Sequence, residues 1–327
     1  MKVCAFTIVT SNHLPGAITL KNTLLEFNPG WEVCAVVVDF LPAELTKDAA
    51  ISLITPKEGI AEEYFRKKIR QYSAAEICFF LKPYAAKYFL DLGYDQVHYF
   101  DSDIEIFSPL SPLNAELAKS NILLTPHFYL DTPSDYQQPN SLTMLKAGLF
   151  NAGYLGMRNA REAFRFLEWW SGRLDRYGRN EPANGMCGDQ RWLDLCPLLF
   201  EGVSILRHPG CNVGYWNLHE RHVTCQEKKY FVNGESLVFF HFSGIEYKET
   251  GRLSKYTTSR EDLKNPCIRS LADGYRDKIG APEYQGYRSI HYPGRRFMHR
   301  PNILIRLFRS VVFTIDEAWR PGGRKRP

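Results

Sequence analysis

The chain has no apolar run approaching the roughly 20 residues that a membrane-spanning helix needs. It has no Cys-x-x-Cys pair among its eight cysteines, which removes the common zinc-site spacings. Cys4 and Cys34 stand in apolar strand-like runs, where a thiol packs as a small hydrophobe. Internal repeats and low-complexity tracts are missing, so solenoids and long disordered linkers are not expected. A secretory leader is not expected: Met1-Lys2 leads into Val3–Val9, shorter than a signal core, with no cleavage site after it. The expectation is a cytoplasmic protein with its thiols free.

Most of the chain also lacks positive charge. The formal net charge is +5, but residues 295–327 carry nine Lys/Arg against two acids, +7, which leaves −2 for the rest. A uniformly basic, nucleic-acid-binding face is therefore not expected. With 327 residues and 44% hydrophobic content, the chain can bury a sizeable core without staples.

What is present is an α/β pattern. Val3–Thr10 reads as a buried strand, Pro15–Phe27 as a helix and Trp31–Val38 as a second strand ending at Asp39. Glu62–Tyr72 and Ala74–Leu92 have helical spacing, and Gln96–Phe100 is a strand that runs into Asp101-Ser102-Asp103. Asn121–Thr125, Phe150–Met157, Val203–Leu206 and Ser236–Phe242 read as further strands, and Ala160–Tyr177 as an amphipathic helix. Between them, 125–140 has the composition of a long surface loop, and beyond about 250 the pattern weakens. Alternating strands and helices imply a mostly parallel sheet flanked by helices, with ligands at the C-terminal strand ends.

Four clusters carry chemistry. In Asp101-Ser102-Asp103 the acids are two apart, so a strand end can turn both toward one ion. A hard divalent cation takes a few protein carboxylates and completes its shell with phosphate oxygens. The same acids would also suit a capped turn. His241 closes the apolar run Leu237–Phe240 and is followed by Phe242-Ser243-Gly244, an accessible place for a ligand or for a core histidine. Phe150-Asn151-Ala152-Gly153 puts small residues in a strand, where a ligand or a neighbouring backbone can come close. Asp189-Gln190 follows Gly188 and precedes the helical pattern Trp192–Leu199; Asp189 equally suits a helix N-cap. Tyr129, Asp131, Asp135, Tyr136 and Gln137, with Tyr215, Trp216, Asn217 and His219, mix aromatic faces and polar tips as sugar-binding surfaces do, and as packed aromatic clusters do.

Taken in order, these motifs resemble nucleotide-sugar glycosyltransferases of the GT-A fold, closest to the retaining family 8 group. The carriers are Phe6-Thr7-Ile8-Val9-Thr10, Asp39, Tyr99-Phe100-Asp101-Ser102-Asp103, Phe150-Asn151-Ala152-Gly153, Asp189-Gln190 and His241-Phe242-Ser243-Gly244, across roughly residues 3–245. The resemblance implies a GT-A (Rossmann-like) catalytic domain over 1–250. Its nucleotide-sugar half would span about 1–125 and its acceptor half about 126–250, with a C-terminal extension over 251–327. Thr10 and Asp39 would hold the nucleoside of the donor, a UDP-sugar for preference. Asp101, Asp103 and His241 would bind Mn²⁺ or Mg²⁺ on the diphosphate, with Gly244 beside them. Asn151, Gly153, Asp189 and Gln190 would surround the donor sugar, Asp189 and Gln190 in catalytic roles. In the family a lysine followed by Pro-Trp contacts the diphosphate; here Lys248 comes late and is followed by Glu249-Thr250.

The implied reaction moves a sugar, with retention, to a saccharide or lipid-linked acceptor in bacterial surface-glycan synthesis. A nucleotidyltransferase acting on sugar phosphates is the first rival, but Ser11-Asn12-His13-Leu14-Pro15-Gly16 lacks the Lys or Arg of its phosphate loop. A non-catalytic nucleotide- or carbohydrate-binding protein is the second, and it need not keep both acids and His241. In the tail, Pro301 can open a helix with Leu304, Leu307, Phe308, Val311, Ile315 and Trp319 at helical spacing among arginines. Such a basic amphipathic helix suits peripheral contact with the anionic inner face of a membrane, or packing on the catalytic domain or on another subunit of a homo-oligomer.

Overall fold

A computed structural model of the chain describes residues 1–39, 41–42, 45, 51–132, 139–181, 185–227, 229–248, 250–257, 262–290 and 292. The tail expected to form the basic amphipathic helix lies outside them, as do Asp135, Tyr136 and Gln137. Strands are β1 Val3–Val9, β2 Glu32–Val37, β3 Ser52–Ile54, β4 Gln96–Phe100, β5 Ile104–Ile106, β6 Ile122–Pro126, β7 Phe150–Arg158, β8 Asn180–Glu181, β9 Met186–Cys187, β10 Val203–Ile205, β11 Val223–Gln226, β12 Lys229–Val232, β13 Glu235–Ser236 and β14 Phe239–His241. The principal helices are α1 Leu14–Phe27, α2 Glu62–Gln71, α3 Ala74–Asp91, α4 Ser111–Leu117, α5 Ser141–Ala147, α6 Arg161–Tyr177, α7 Cys196–Leu199 and α8 Pro266–Gly280.

Seven strands form one sheet in the order β10-β6-β7-β4-β1-β2-β3. Only β7 runs against its neighbours, β4 and β6; the other pairs are parallel. The mostly parallel α/β sheet expected from the sequence is thus what forms. Strand alternation divides the core. Cys4, Phe6 and Ile8 of β1 face a cluster built with α3 and α6, while Ala5 and Val9 face a second cluster built with α1 and α4. Ser73 and Glu76 close a reciprocal cap on α3, which continues through Pro83.

Four expectations are corrected. Ser236–Phe242 is not one strand: β13 closes the β11–β12–β13 hairpin sheet, and β14 leaves it to pair antiparallel with β5. The Trp192–Leu199 pattern forms a 3-10 helix over Gln190–Leu195 and then the short α7, because Pro197 lacks the N–H that would continue the first turns. The segment beyond 250 holds a well-formed helix, α8, with Pro266 in its first turn and the Asn265 side chain accepting from the Cys267 and Ile268 amides. The thiols are not all free: Cys225 of β11 is bonded to Cys267 of α8, their Cα atoms 5.6 Å apart. No spacing rule pairs residues 42 apart; the fold does so by laying α8 on the hairpin.

Candidate active site

The site forms at one edge of the sheet, where β1, β2 and β4 end and β7 begins. The Asp101 amide donates to the Gly153 carbonyl at 2.8 Å, and the chain turns so that the Ile104 amide returns to Asp101 O at 3.1 Å. This tight turn presents both carboxylates. The β5–β14 ladder then sets His241 opposite Ile104, and the Phe242 amide bonds the Asp103 carbonyl at 2.8 Å. His241 Nε2 accordingly lies 3.0 Å from Asp103 Oδ1 and 3.7 Å from Asp101 Oδ2. One ligand atom from each of the three residues falls within a 4.8 Å group.

Close approach needs two glycines. A Cβ on Gly153 would lie 2.2 Å from His241 Cε1, and a Cβ on Gly16 would lie 2.4 Å from the Ser102 carbonyl oxygen. Gly153 therefore makes room for the imidazole, and Gly16 lets the start of α1 meet the acidic turn.

Lys82 is the residue that sequence reasoning missed. It is 2% exposed, and its ammonium lies 2.6 Å from Asp189 Oδ2, 3.5 Å from Asp101 Oδ1 and 2.9 Å from the Ala152 carbonyl. Its ring neighbour Tyr99 also donates its hydroxyl to Asp101. Burial opposes charge on Lys82, but the Asp101 and Asp189 carboxylates outweigh it and raise its pKa. Burial pushes the Asp189 carboxyl up, against the pull of Lys82. Asp189 occupies the N-cap position of its 3-10 helix without capping it; its side chain goes to the lysine instead. A lysine in the apolar register of Phe79-Phe80-Leu81-Lys82-Pro83-Tyr84 was the available signal.

The remaining expected residues group around this centre. Asp39 accepts from the Ser11 amide at 2.8 Å and the Ser11 hydroxyl at 2.7 Å, and its other oxygen is buried without a hydrogen bond. Thr10 donates to Asn12 Oδ1 at 2.7 Å. Asn151 is held in a buried network: its Oδ1 accepts from the Gly153 amide and from Asn212 Nδ2, and its Nδ2 meets His127 Nε2 at 3.3 Å. Gln190 is engaged at both ends, Oε1 accepting from the Ala152 amide and Nε2 donating to the Ala147 carbonyl. Trp216 packs edge-on to His241 with ring centroids 5.1 Å apart, so this expected acceptor residue is a wall of the Asp101–Asp103–His241 cluster. Gly244 has φ +71, and Lys255 donates its amide to the Gly244 carbonyl at 3.0 Å.

Lys248 is not drawn in. It sits on an exposed turn with its ammonium over Tyr247, and no ion pair joins it to the acids among the described residues. The cation whose field reaches His13, together with those of Asp103 and Asp39, is Lys255.

The donor set fits a hard divalent cation. Asp101, Asp103 and Asp189 meet one ammonium and one imidazole, which leaves excess negative charge at a half-exposed carboxylate pair. Burial pulls the His241 pKa down, yet the Asp103 and Asp101 charges raise it; the same field favours a bound cation in place of a proton.

No family model matches the chain. It is similar to two proteins of Bacillus subtilis (strain 168), both described as uncharacterized. YfnF is 26% identical over 249 residues, covering 72% of this chain and 80% of YfnF. YfnD is 25% identical over 247 residues, covering 73% and 76%. The structure is similar to that of galactosyltransferase LgtC in complex with donor and acceptor sugar analogs, with a TM-score of 0.49 and 14% identity over 87% of this chain and 99% of that one. It is also similar to mouse xyloside xylosyltransferase 1, with a TM-score of 0.46 and 12% identity over 74% and 97%.

Proposed function

We propose that this protein is a metal-dependent GT-A glycosyltransferase that moves a sugar, with retention, from a nucleotide sugar to a glycan or lipid-linked acceptor. UDP-sugars are the favoured donors, and bacterial surface-glycan synthesis is the favoured setting. The observation that carries the reading is the convergence of Asp101, Asp103 and His241, from segments some 140 residues apart in sequence, beside a lysine-held Asp189.

Each residue has a task in that reaction. Asp39, steadied by Ser11, suits ribose or base, and its unpartnered oxygen is free to accept. Asp101, Asp103 and His241 would hold Mn²⁺ or Mg²⁺, which supplies Lewis-acid neutralisation of the leaving diphosphate. Lys255, whose charge acts on His13, would add a positive charge on the diphosphate side. Lys82 pairs with both Asp101 and Asp189 and fixes their positions, so neither must reorganise as charge develops. The carboxylate of Asp189 and the amide oxygen of Gln190 stabilise positive charge at the sugar ring. An amide at 190 supports that charge without forming a covalent ester, which suits attack by the acceptor from the leaving-group side.

The test is a thermal-shift panel of nucleotide sugars with and without Mn²⁺, since a ligand of the folded state alone raises its apparent stability. A rise of several degrees with one nucleotide class, dependent on metal, is the expected outcome. A flat panel with every nucleotide and either metal would remove the donor site.

A further inference from the structure

A segment far along the chain returns to the Asp39 end of the site. A short helix, α9 Gln285–Arg288, packs against the 3-10 turn Ser11–His13, whose Ser11 holds Asp39. Tyr287 anchors this helix, its hydroxyl donating to the Leu45 carbonyl at 2.9 Å. A Cβ on Gly286 would lie 3.2 Å from Leu45 Cδ2, so the backbone comes close there.

The residues that follow pack on the other side of the sheet. Tyr287 belongs to the core cluster on the α1 and α4 side, with Ala5 and Val9. Tyr292 belongs to the cluster on the α3 and α6 side, with Ile8, Val38 and Ile77. The two tyrosines, five positions apart, therefore grip the sheet from opposite faces. They do so at the end where β1 runs into Thr10-Ser11 and β2 toward Asp39.

Tyr292 is 6% exposed, and its hydroxyl has no hydrogen-bond partner among the described residues. Asp39 Oδ2 is buried and unpartnered as well. The two groups feel each other: burial pushes the Tyr292 hydroxyl pKa up, and the charges of Cys78, Asp39 and Glu76 push it the same way. Cys78 links this place to the rest of the site. It stands one turn before Lys82 on α3; burial raises its thiol to about 12, and the charges of Lys82, Asp101, Asp39 and Asp189 all reach it. Buried polar atoms without partners cost stability, so two of them at one end of a site call for a ligand. Together they offer one O–H to donate and one carboxylate oxygen to accept. A base edge or a ribose hydroxyl presents the matching acceptor and donor.

We propose that Tyr292 is a donor-binding residue that closes the nucleoside subsite over Asp39, its hydroxyl donating to the nucleoside while Asp39 Oδ2 accepts from it. The donor site is then completed by a segment past residue 250. The assignment rests on the nucleotide-sugar reading of the site.

The experiment is calorimetric titration of the full chain with UDP, CDP, GDP and ADP in the presence of Mn²⁺, comparing wild type with Tyr292→Phe. The tightest-binding diphosphate should weaken roughly tenfold in the variant, the loss of one hydrogen bond. Mn²⁺ affinity without nucleotide should not change. The unfolding midpoint of the free variant should hold or rise, because the hydroxyl removed is unpaired in the free protein. Equal nucleotide affinity in the two proteins would overturn the role of Tyr292 and leave the glycosyltransferase reading intact. A lower midpoint together with weaker Mn²⁺ binding would make the hydroxyl a structural group and overturn the assignment too. If no nucleoside diphosphate binds the wild type, the reading itself fails and takes the assignment with it.

Discussion

Lys82 shows how much one side chain carries here. A buried ammonium is costly alone, and so are buried carboxylates; together they are stable only as a set. Replacing Lys82 by Met keeps the stem but leaves Asp189 uncompensated. The expected cost is about 3–5 kcal/mol of stability, read by urea unfolding, with Lys82→Arg losing much less. A loss under about 1 kcal/mol would mean the carboxylates have water enough without the lysine. Gln190 is the second residue to probe, because its amide is already bonded to the Ala152 amide and the Ala147 carbonyl. If it acts on the donor sugar, Gln190→Ala lowers kcat by roughly 10²-fold with little change in donor KM. If it only pins the β7 start to α5, the loss appears in stability and KM, and kcat is spared.

At the scale of elements, the βαβ start, the strand into Asp101-Ser102-Asp103 and the small-residue strand at Asn151–Gly153 were legible because local hydrophobic periodicity writes them. The β5–β14 ladder was not. It joins segments about 135 residues apart, and no local pattern reports such a pairing. The strand read over Ser236–Phe242 missed the break that frees His241 from the hairpin. α8 was missed although Asn265-Pro266 is a helix-start signal, because Gly274 and Gly280 dilute the pattern.

Two element-level predictions follow from these contacts. Gly153→Ala on β7 should push the His241 ring and weaken Mn²⁺ binding by roughly 10–100-fold in calorimetry, the usual effect of disturbing a ligand's support. Unchanged Mn²⁺ affinity would mean His241 is not a ligand. The Cys225–Cys267 bond ties hairpin to helix, so thiol titration of unreduced, unfolded protein should count six, not eight. Reduction should then cost roughly 2–4 kcal/mol of stability.

Across the whole molecule, the parts before and after residue 250 share a core. Val213, Phe240 and Phe242 pack with Leu253, Ile268, Leu271 and Tyr275 in one cluster. Tyr275 stacks on Phe242 at 4.2 Å, and its hydroxyl donates to the Ser102 carbonyl at 3.3 Å. α8 therefore buttresses the acidic turn and the strand that carries His241. No described helix is long and apolar enough to cross a membrane. The architecture assembles one acidic centre from distant segments, and under the proposed function this centre turns over a nucleotide sugar with a divalent cation. The most direct measurement is release of nucleoside diphosphate from UDP-sugars by metal-stripped protein, before and after adding Mn²⁺, for the wild type and for Asp103→Ala. Release by the wild type is expected only when metal is present, with at least a roughly 10²-fold loss in Asp103→Ala and its unfolding midpoint retained. Equal release by the two proteins in chelator-treated buffer would contradict it.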